Sequence, residues 1–274
     1  MEGLSTGPAA PAGAGSPGSA EAPSPYTRAD LYDLLFRDYA ADLAFYLGIA
    51  REAGGPGLDV GCGTGRVLLR ALEAGLDVDG LDDSAEMLAR LRQNAAARRL
   101  APRVTQGDMR AFALPRRYAS ILIPFNVFAH NLTADDQLAT LRCCHEHLAP
   151  GGRLVFDVFS ATPAMLATPV AEPVLELETR HPETGRLLRL YDGRRLDLAT
   201  QTQHSRTAIE ELDAGGQVAG THRFVAVVRW IYPSEMELLL RLAGFDRWEV
   251  AGGFDGRPAA GHEGAIVVSA WTGA

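Results

Sequence analysis

Cysteine is scarce, no long apolar run occurs, and basic residues are outnumbered by acidic ones. The three cysteines, Cys62, Cys143 and Cys144, are too few and too poorly spaced for a disulfide framework or a zinc set. They fit a reducing compartment, so a cytoplasmic location is expected. No run approaches the roughly 20 apolar residues that a bilayer-spanning helix needs. The first residues, MEGLSTGPAAPAGAGSPGSAEAPSP, lack the basic start and apolar core of a secretory signal. With 26 basic against 34 acidic residues the net charge is -8. That balance argues against nucleic acid or an anionic membrane as the main partner. No cluster of metal-ligating residues stands out, which speaks against metal catalysis.

What is present is an ordinary globular composition: 274 residues, 47% hydrophobic and 22% charged, enough for one large domain with an elaboration. Residues 1–25 are rich in Ala, Gly, Pro and Ser and are expected to form a disordered tail. Residues 26–274 read as one domain. Apolar residues at helical spacing predict one or two helices over 26–53, stopped by Gly54-Gly55-Pro56-Gly57. Strands and helices then alternate: strand 58–61, helix 65–74, strand 76–81, a helix capped by Ser84, strands 103–106 and 120–125, helix 134–148 and strand 154–159. That alternation predicts βαβ units and a mostly parallel sheet. After Phe159 the pattern changes. Strand-like segments without helices between them predict an antiparallel insertion over 172–231. A helix opened by Pro233 and closed by Gly244 follows, then strands 248–251 and 265–270.

The turn Gly61-Cys-Gly63-Thr-Gly65 follows the first of these strands. A strand, a glycine-rich turn and a helix serve NAD, ATP and S-adenosylmethionine alike. The turn lacks the third glycine of the dinucleotide pattern GxGxxG, because position 66 is Arg, and no Lys-Ser or Lys-Thr follows as in a P-loop. Glycines here let the backbone bend sharply, and the new helix offers free N–H groups to an anionic group. Asp82 ends the second strand, where a carboxylate can accept from both ribose hydroxyls. Asp108 ends the third strand and can accept from an adenine amine, with Met109 against the ring.

The segments LDVGCGTG, GLDDSAEML, QGDM and LAPGGRLVFDVF resemble the class I S-adenosylmethionine-dependent methyltransferases. The resemblance covers most of the chain from about Tyr26. It implies a Rossmann-like three-layer α/β sandwich with a seven-stranded, mostly parallel sheet whose last strand is antiparallel. It also implies S-adenosylmethionine as cofactor. Carried over, Asp59, Gly61, Gly63 and Gly65 hold its methionine part, Asp82 the ribose, and Asp108 with Met109 the adenine. Many members carry an acid just before strand four, where this chain has Tyr118-Ala119-Ser120.

Methyl transfer is an in-line displacement that needs alignment and exclusion of water, and it needs a base only when the acceptor must lose a proton. The loop after strand four, residues 124–131, would bring Asn126 and His130 near the sulfonium. Asn126 is thus expected at the cofactor, and His130 as a catalytic candidate that binds or deprotonates the acceptor. Tyr32, the second catalytic candidate beside His130, and Tyr39 lie on the N-terminal helices of 26–55 and would close over the site as a lid. The insertion would cap the acceptor pocket, with Arg180, Arg189 and Arg229 able to meet an anionic substrate. The expected activity is methylation of an N or O atom of a small-molecule acceptor. Three alternatives stay open: a non-catalytic module that binds the cofactor, a protein or peptide methyltransferase, and a nicotinamide oxidoreductase. An exposed edge of the antiparallel sheet could pair with another chain, and no residue pattern sets an oligomeric state.

Overall fold

The computed structural model describes residues 22–181, 184–260 and 264–273. Most of the expected tail, residues 1–21, and residues 182 and 183 of the expected insertion lie outside the described residues. The structured chain begins before Tyr26. The Pro23 carbonyl accepts the Val225 N–H at 3.1 Å, and Pro25–Thr27 form a short 3-10 turn behind Ser24. Two helices follow, α1 (Ala29–Phe36) and α2 (Leu43–Ala53). Gly54, left-handed at φ 63°, closes α2.

The central sheet contains β1 (Gly57–Val60), β2 (Val78–Asp82), β3 (Val104–Gln106), β4 (Tyr118–Ile123), β5 (Leu148–Phe159), β10 (Arg247–Ala251) and β11 (Ala265–Trp271). Their order is β10-β11-β5-β4-β1-β2-β3. Neighbours from β3 to β5 run parallel, and β11 is antiparallel to both β5 and β10. The expected reversal of the last strand is therefore present. The strands of the middle are apolar on both faces because helices cover both. On one face α2, α3 (Leu68–Glu73) and α4 (Ala85–Ala97) bury Tyr46, Ile49, Leu68 and Leu91 against Val78 and Val155. On the other, α5 (Ala134–His147) and α7 (Pro233–Ala243) bury Leu141, Met236 and Leu240 against Ile121, Phe156 and Val268. Tyr118, where an acid is common in the resembled family, opens β4 fully buried and donates its hydroxyl to Asp79 at 3.1 Å.

Several boundaries differ from the sequence reading, among them the start of β5 at Leu148 rather than 154, and two of them shape the site. The helix expected from residue 65 begins at Leu68, because Gly63 and Gly65 hold positive φ and extend the turn. The strand expected to reach residue 125 stops at Ile123, because Phe125 and Asn126 are both left-handed, with φ 62° and 59°.

The insertion is a four-stranded antiparallel sheet, β6 (Val170–Arg180), β7 (Leu187–Asp197), β8 (Thr202–Leu212) and β9 (Val218–Arg229), joined to the central sheet through the short α6 (Pro163–Ala167). One of its faces packs Leu190, Ile209 and Phe224 against Leu31 of α1. α1 and this cap sheet thus roof the carboxyl ends of the central strands.

Candidate functional site

Open parallel sheets bind ligands beyond the carboxyl ends of their strands, and the predicted residues sit there. Gly61 (φ 69°) leaves β1 so close to the next loop that a Cβ would lie 2.4 Å from the Val127 side chain. At Gly65 (φ 93°) a Cβ would meet Leu69 at 2.7 Å. Neither position admits a side chain. Asp82, at the end of β2, accepts the Gly63 N–H at 2.8 Å and the Ser84 N–H at 2.9 Å. Burial raises its pKa, and these two hydrogen bonds oppose the rise. Asp59 is buried beneath the turn, with Oδ1 lacking a hydrogen-bond partner. Burial pushes its pKa up to about 7, with the Arg66 charge opposing and the Asp82 charge adding. Asp108 is exposed by comparison. Arg110 grips its carboxylate and reaches on to Asp136, which holds the Asp108 pKa below the usual range. Met109 packs on the core, with its sulfur 3.5 Å from the Asn131 amide.

The loop after β4 is held by a residue the sequence reading did not name. Asp157 of β5, itself buried, accepts the Phe125 N–H at 2.7 Å, the Asn126 N–H at 2.9 Å and the Tyr46 hydroxyl at 2.5 Å. Its signal was one carboxylate inside the apolar run LVFDVF. The loop continues as a 3-10 turn, Val127–His130. His130 Nε2 lies 2.7 Å from the Tyr26 hydroxyl. Burial lowers the His130 pKa, with the Asp83 charge and a hydrogen bond to the Val227 backbone opposing. A neutral ring that donates to that carbonyl accepts the Tyr26 O–H at Nε2. Tyr26 was likewise not singled out by the sequence, since nothing local marks a tyrosine whose partner is 104 residues away.

Aromatic rings tie α1 to this loop. Tyr32 lies 5.7 Å from Tyr26 and 5.0 Å from Phe36, and Phe125 lies 5.6 Å from Phe36 and 5.1 Å from Tyr39, centroid to centroid. Arg66, the residue in place of the third glycine, stacks on Phe125 at 4.9 Å and pairs both guanidinium nitrogens with Asp42 at 2.5 and 2.7 Å. Burial pushes the Tyr32 pKa up to about 12, with Arg66 opposing, so the phenol stays protonated.

These elements enclose a cavity of about 730 Å³. Gly61, Gly63, Asp82, Asp108, Met109, Asn126, His130 and Tyr32 all line it. Asp59 and Gly65 do not. Asp59 lies in a small adjoining pocket of about 40 Å³ with Thr64 and Arg66. Tyr39 is outside the cavity, with 40% of its surface exposed. The opposite wall is the cap sheet, which contributes Glu176, Asp192, Ser205, Thr207 and Phe224. The arginines expected on that wall are elsewhere. Arg180 bonds the Gly185 carbonyl, Arg189 pairs with Glu178 at the surface, and Arg229 is buried among Gln137, Gln201 and Glu235. Period-2 alternation places a residue on one of two faces, and here these three take other partners.

Residues 58–152 match the family model described as a methyltransferase domain. Over those residues the chain carries a methyltransferase domain. Its class I fold is shared with the CcbJ methyltransferase from Streptomyces caelestis, at TM-score 0.71 and 25% identity over 92% of this chain and 99% of that one. It is similar also to DesVI of Streptomyces venezuelae, at TM-score 0.68 and 25% identity over 89% and 96% of the two chains. In sequence, 139 residues are 34% identical to the dTDP-3-amino-3,4,6-trideoxy-alpha-D-glucopyranose N,N-dimethyltransferase of Streptomyces venezuelae, covering 47% of this chain and 56% of that protein. The chain thus spans about half the length of the curated relatives it matches. Another protein of this fold, CalS10 of Micromonospora echinaspora, at TM-score 0.64 and 24% identity over 85% of this chain and 90% of that one, is solved with S-adenosylmethionine bound. The glycine turn fits it: a cradle that a Cβ would fill at Gly61, an Asp82 carboxylate facing the cavity, and a buried Asn126 Oδ1 without a partner. Among the described residues no group of His, Cys, Asp and Glu could hold a metal ion, and no helix is long and apolar enough to cross a membrane.

Proposed function

We propose that this chain transfers a methyl group from S-adenosylmethionine to the nitrogen of a small-molecule amine. The observation that carries the reading is one cavity bounded by the glycine turn, Asp82 and Asp108 on one side and by a polar-lined cap sheet on the other. The cofactor supplies an electrophilic methyl on a sulfonium. Asp82 holds the ribose hydroxyls, since each of its oxygens keeps a free lone pair beside the one backbone bond it accepts. Asp108 shares its carboxylate between Arg110 and the adenine amine, and Met109 packs on the ring. Asp59 and the three glycines hold the turn, and Asn126 turns its amide toward the sulfonium end.

Nitrogen is favoured over oxygen on two grounds. The relative from Streptomyces venezuelae is named as an N,N-dimethyltransferase. A neutral amine also attacks with its own lone pair, whereas a hydroxyl acceptor needs a base at the moment of attack. Tyr26 and Tyr32 are protonated and His130 is held neutral. His130 Nε2 can then draw in the Tyr26 hydroxyl proton while the Tyr26 oxygen takes the one that the methylated ammonium sheds, and Tyr32 with its aromatic neighbours keeps water from the site. Three buried free thiols support a reducing, cytoplasmic setting. Calorimetric titration with S-adenosylmethionine, S-adenosylhomocysteine and NAD in parallel tests the reading. Binding of the two sulfur nucleotides and not NAD is expected. Binding of NAD alone would overturn it, and binding without turnover of any amine would favour a non-catalytic module.

A further inference from the structure

The cavity has carboxylates on both walls and no arginine or lysine among its lining residues; its one histidine, His130, has its pKa lowered by burial. Asp82, Asp83 and Asp108 lie on the cofactor wall, and Glu176 and Asp192 on the cap-sheet wall. No arginine is among the lining residues, and the chain contains no lysine. Asp192 sits on β7, where its oxygens accept the Thr207 hydroxyl at 3.1 Å and the Ser205 hydroxyl at 3.5 Å from β8. All three residues line the cavity. The register of β6 on β7 shifts between Leu175 and Leu177, at Glu176, which also faces the cavity. The nearest cation on the same strand, Arg194, does not line the cavity; its charge acts on Asp192 without a direct ion pair between them. Two other arginines of the cap are engaged, Arg186 with Glu211 and Arg189 with Glu178.

A half-buried carboxylate without a directly paired cation is costly, and its cost falls when a cation enters beside it. A phosphate would meet the reverse: carboxylates on two sides and no arginine or lysine to neutralise it. We propose that Asp192, oriented by Thr207 and Ser205 and backed by Glu176, anchors an ammonium group of a phosphate-free acceptor and so sets the substrate class. The inference rests on the methyltransferase reading. It parts from the dTDP-linked sugar for which one relative is named. Burial raises the Asp192 pKa and the Glu176 charge adds to the rise, while Thr207, Ser205 and the Arg194 charge oppose it.

The test uses the full chain loaded with S-adenosylhomocysteine. Calorimetry is run with free amino sugars and amino alcohols, and with glucosamine and UDP-glucosamine as a matched pair. At least one free amine is expected to bind, and UDP-glucosamine at least tenfold more weakly than glucosamine. Asp192→Asn should weaken the free amine at least tenfold and leave S-adenosylhomocysteine affinity unchanged, which also reports an intact fold. In turnover the same variant should raise KM more than it lowers kcat. Tighter binding of UDP-glucosamine, an Asp192→Asn variant with unaltered amine affinity, or failure of every amine to bind the loaded protein would each overturn the proposal. Failure of S-adenosylhomocysteine itself to bind would instead bring down the methyltransferase reading on which it rests.

Discussion

At Asp82 one carboxylate does two jobs. It closes the glycine turn through the Gly63 N–H and starts α4 through the Ser84 N–H, while its free lone pairs face the cavity. Asp82→Ala should weaken S-adenosylmethionine binding by about 1.5–3 kcal/mol, the range for hydrogen bonds to a charged group. Unchanged affinity by calorimetry would remove Asp82 from the ribose site. Asp59 makes a different prediction. Its folded-state pKa is pushed up to about 7, chiefly by burial, against about 4 in an unfolded chain. Between those values the folded protein binds a proton that the unfolded chain does not, so stability falls as pH rises through that window. Asp59→Asn stays neutral throughout. Urea midpoints of the two proteins at pH 5 and pH 8 should shift in favour of the Asn variant at the higher pH. A difference that does not change with pH would mean that Asp59 is not held protonated.

The loops, more than the strands, decide whether the site is assembled. Asp157 pins the two left-handed residues Phe125 and Asn126, and this points the following turn and His130 toward the cavity. Arg66 does the same for the segment between α1 and α2. It grips Asp42, whose side chain is only 2% exposed, and stacks on Phe125. Removing one partner of such a pair leaves a buried charge unmatched. Arg66→Ala should therefore cost about 3 kcal/mol or more in thermal or urea unfolding. It should also loosen the aromatic contacts of Tyr39 and Phe125 and weaken cofactor binding, although Arg66 does not line the main cavity. A variant as stable as the parent would show that the α1–α2 segment is held by its apolar contacts alone.

The whole molecule places two walls around one cavity, a Rossmann-like sheet and a cap sheet with α1 between them. A ligand that binds only the folded chain stabilises it, by about 2.7 kcal/mol at a hundred times its Kd. For a chain of this size that is a rise in Tm of roughly 5–10 °C. S-adenosylhomocysteine should give this rise in the parent and a clearly smaller one at the same concentration in Asp82→Ala. The absence of any rise in the parent would count against the cofactor site. By itself the sequence determined the alternation of strands and helices, the glycine turn, the acids after β2 and β3 and the antiparallel insertion. These are written locally, in hydrophobic period, in turn residues and in what ends a strand. Only the tertiary structure decided which residues meet across the cavity. Tyr26 reaching His130, Asp157 holding the β4 loop and Asp192 facing the cofactor wall all join segments far apart in the chain, and no local spacing encodes a contact made when two sheets close on each other. For the same reason the insertion could be read as strands while the polarity of its inner face could not. A strand alternates sides, but which side faces the cavity is fixed by the packing of Leu190, Ile209 and Phe224 on α1.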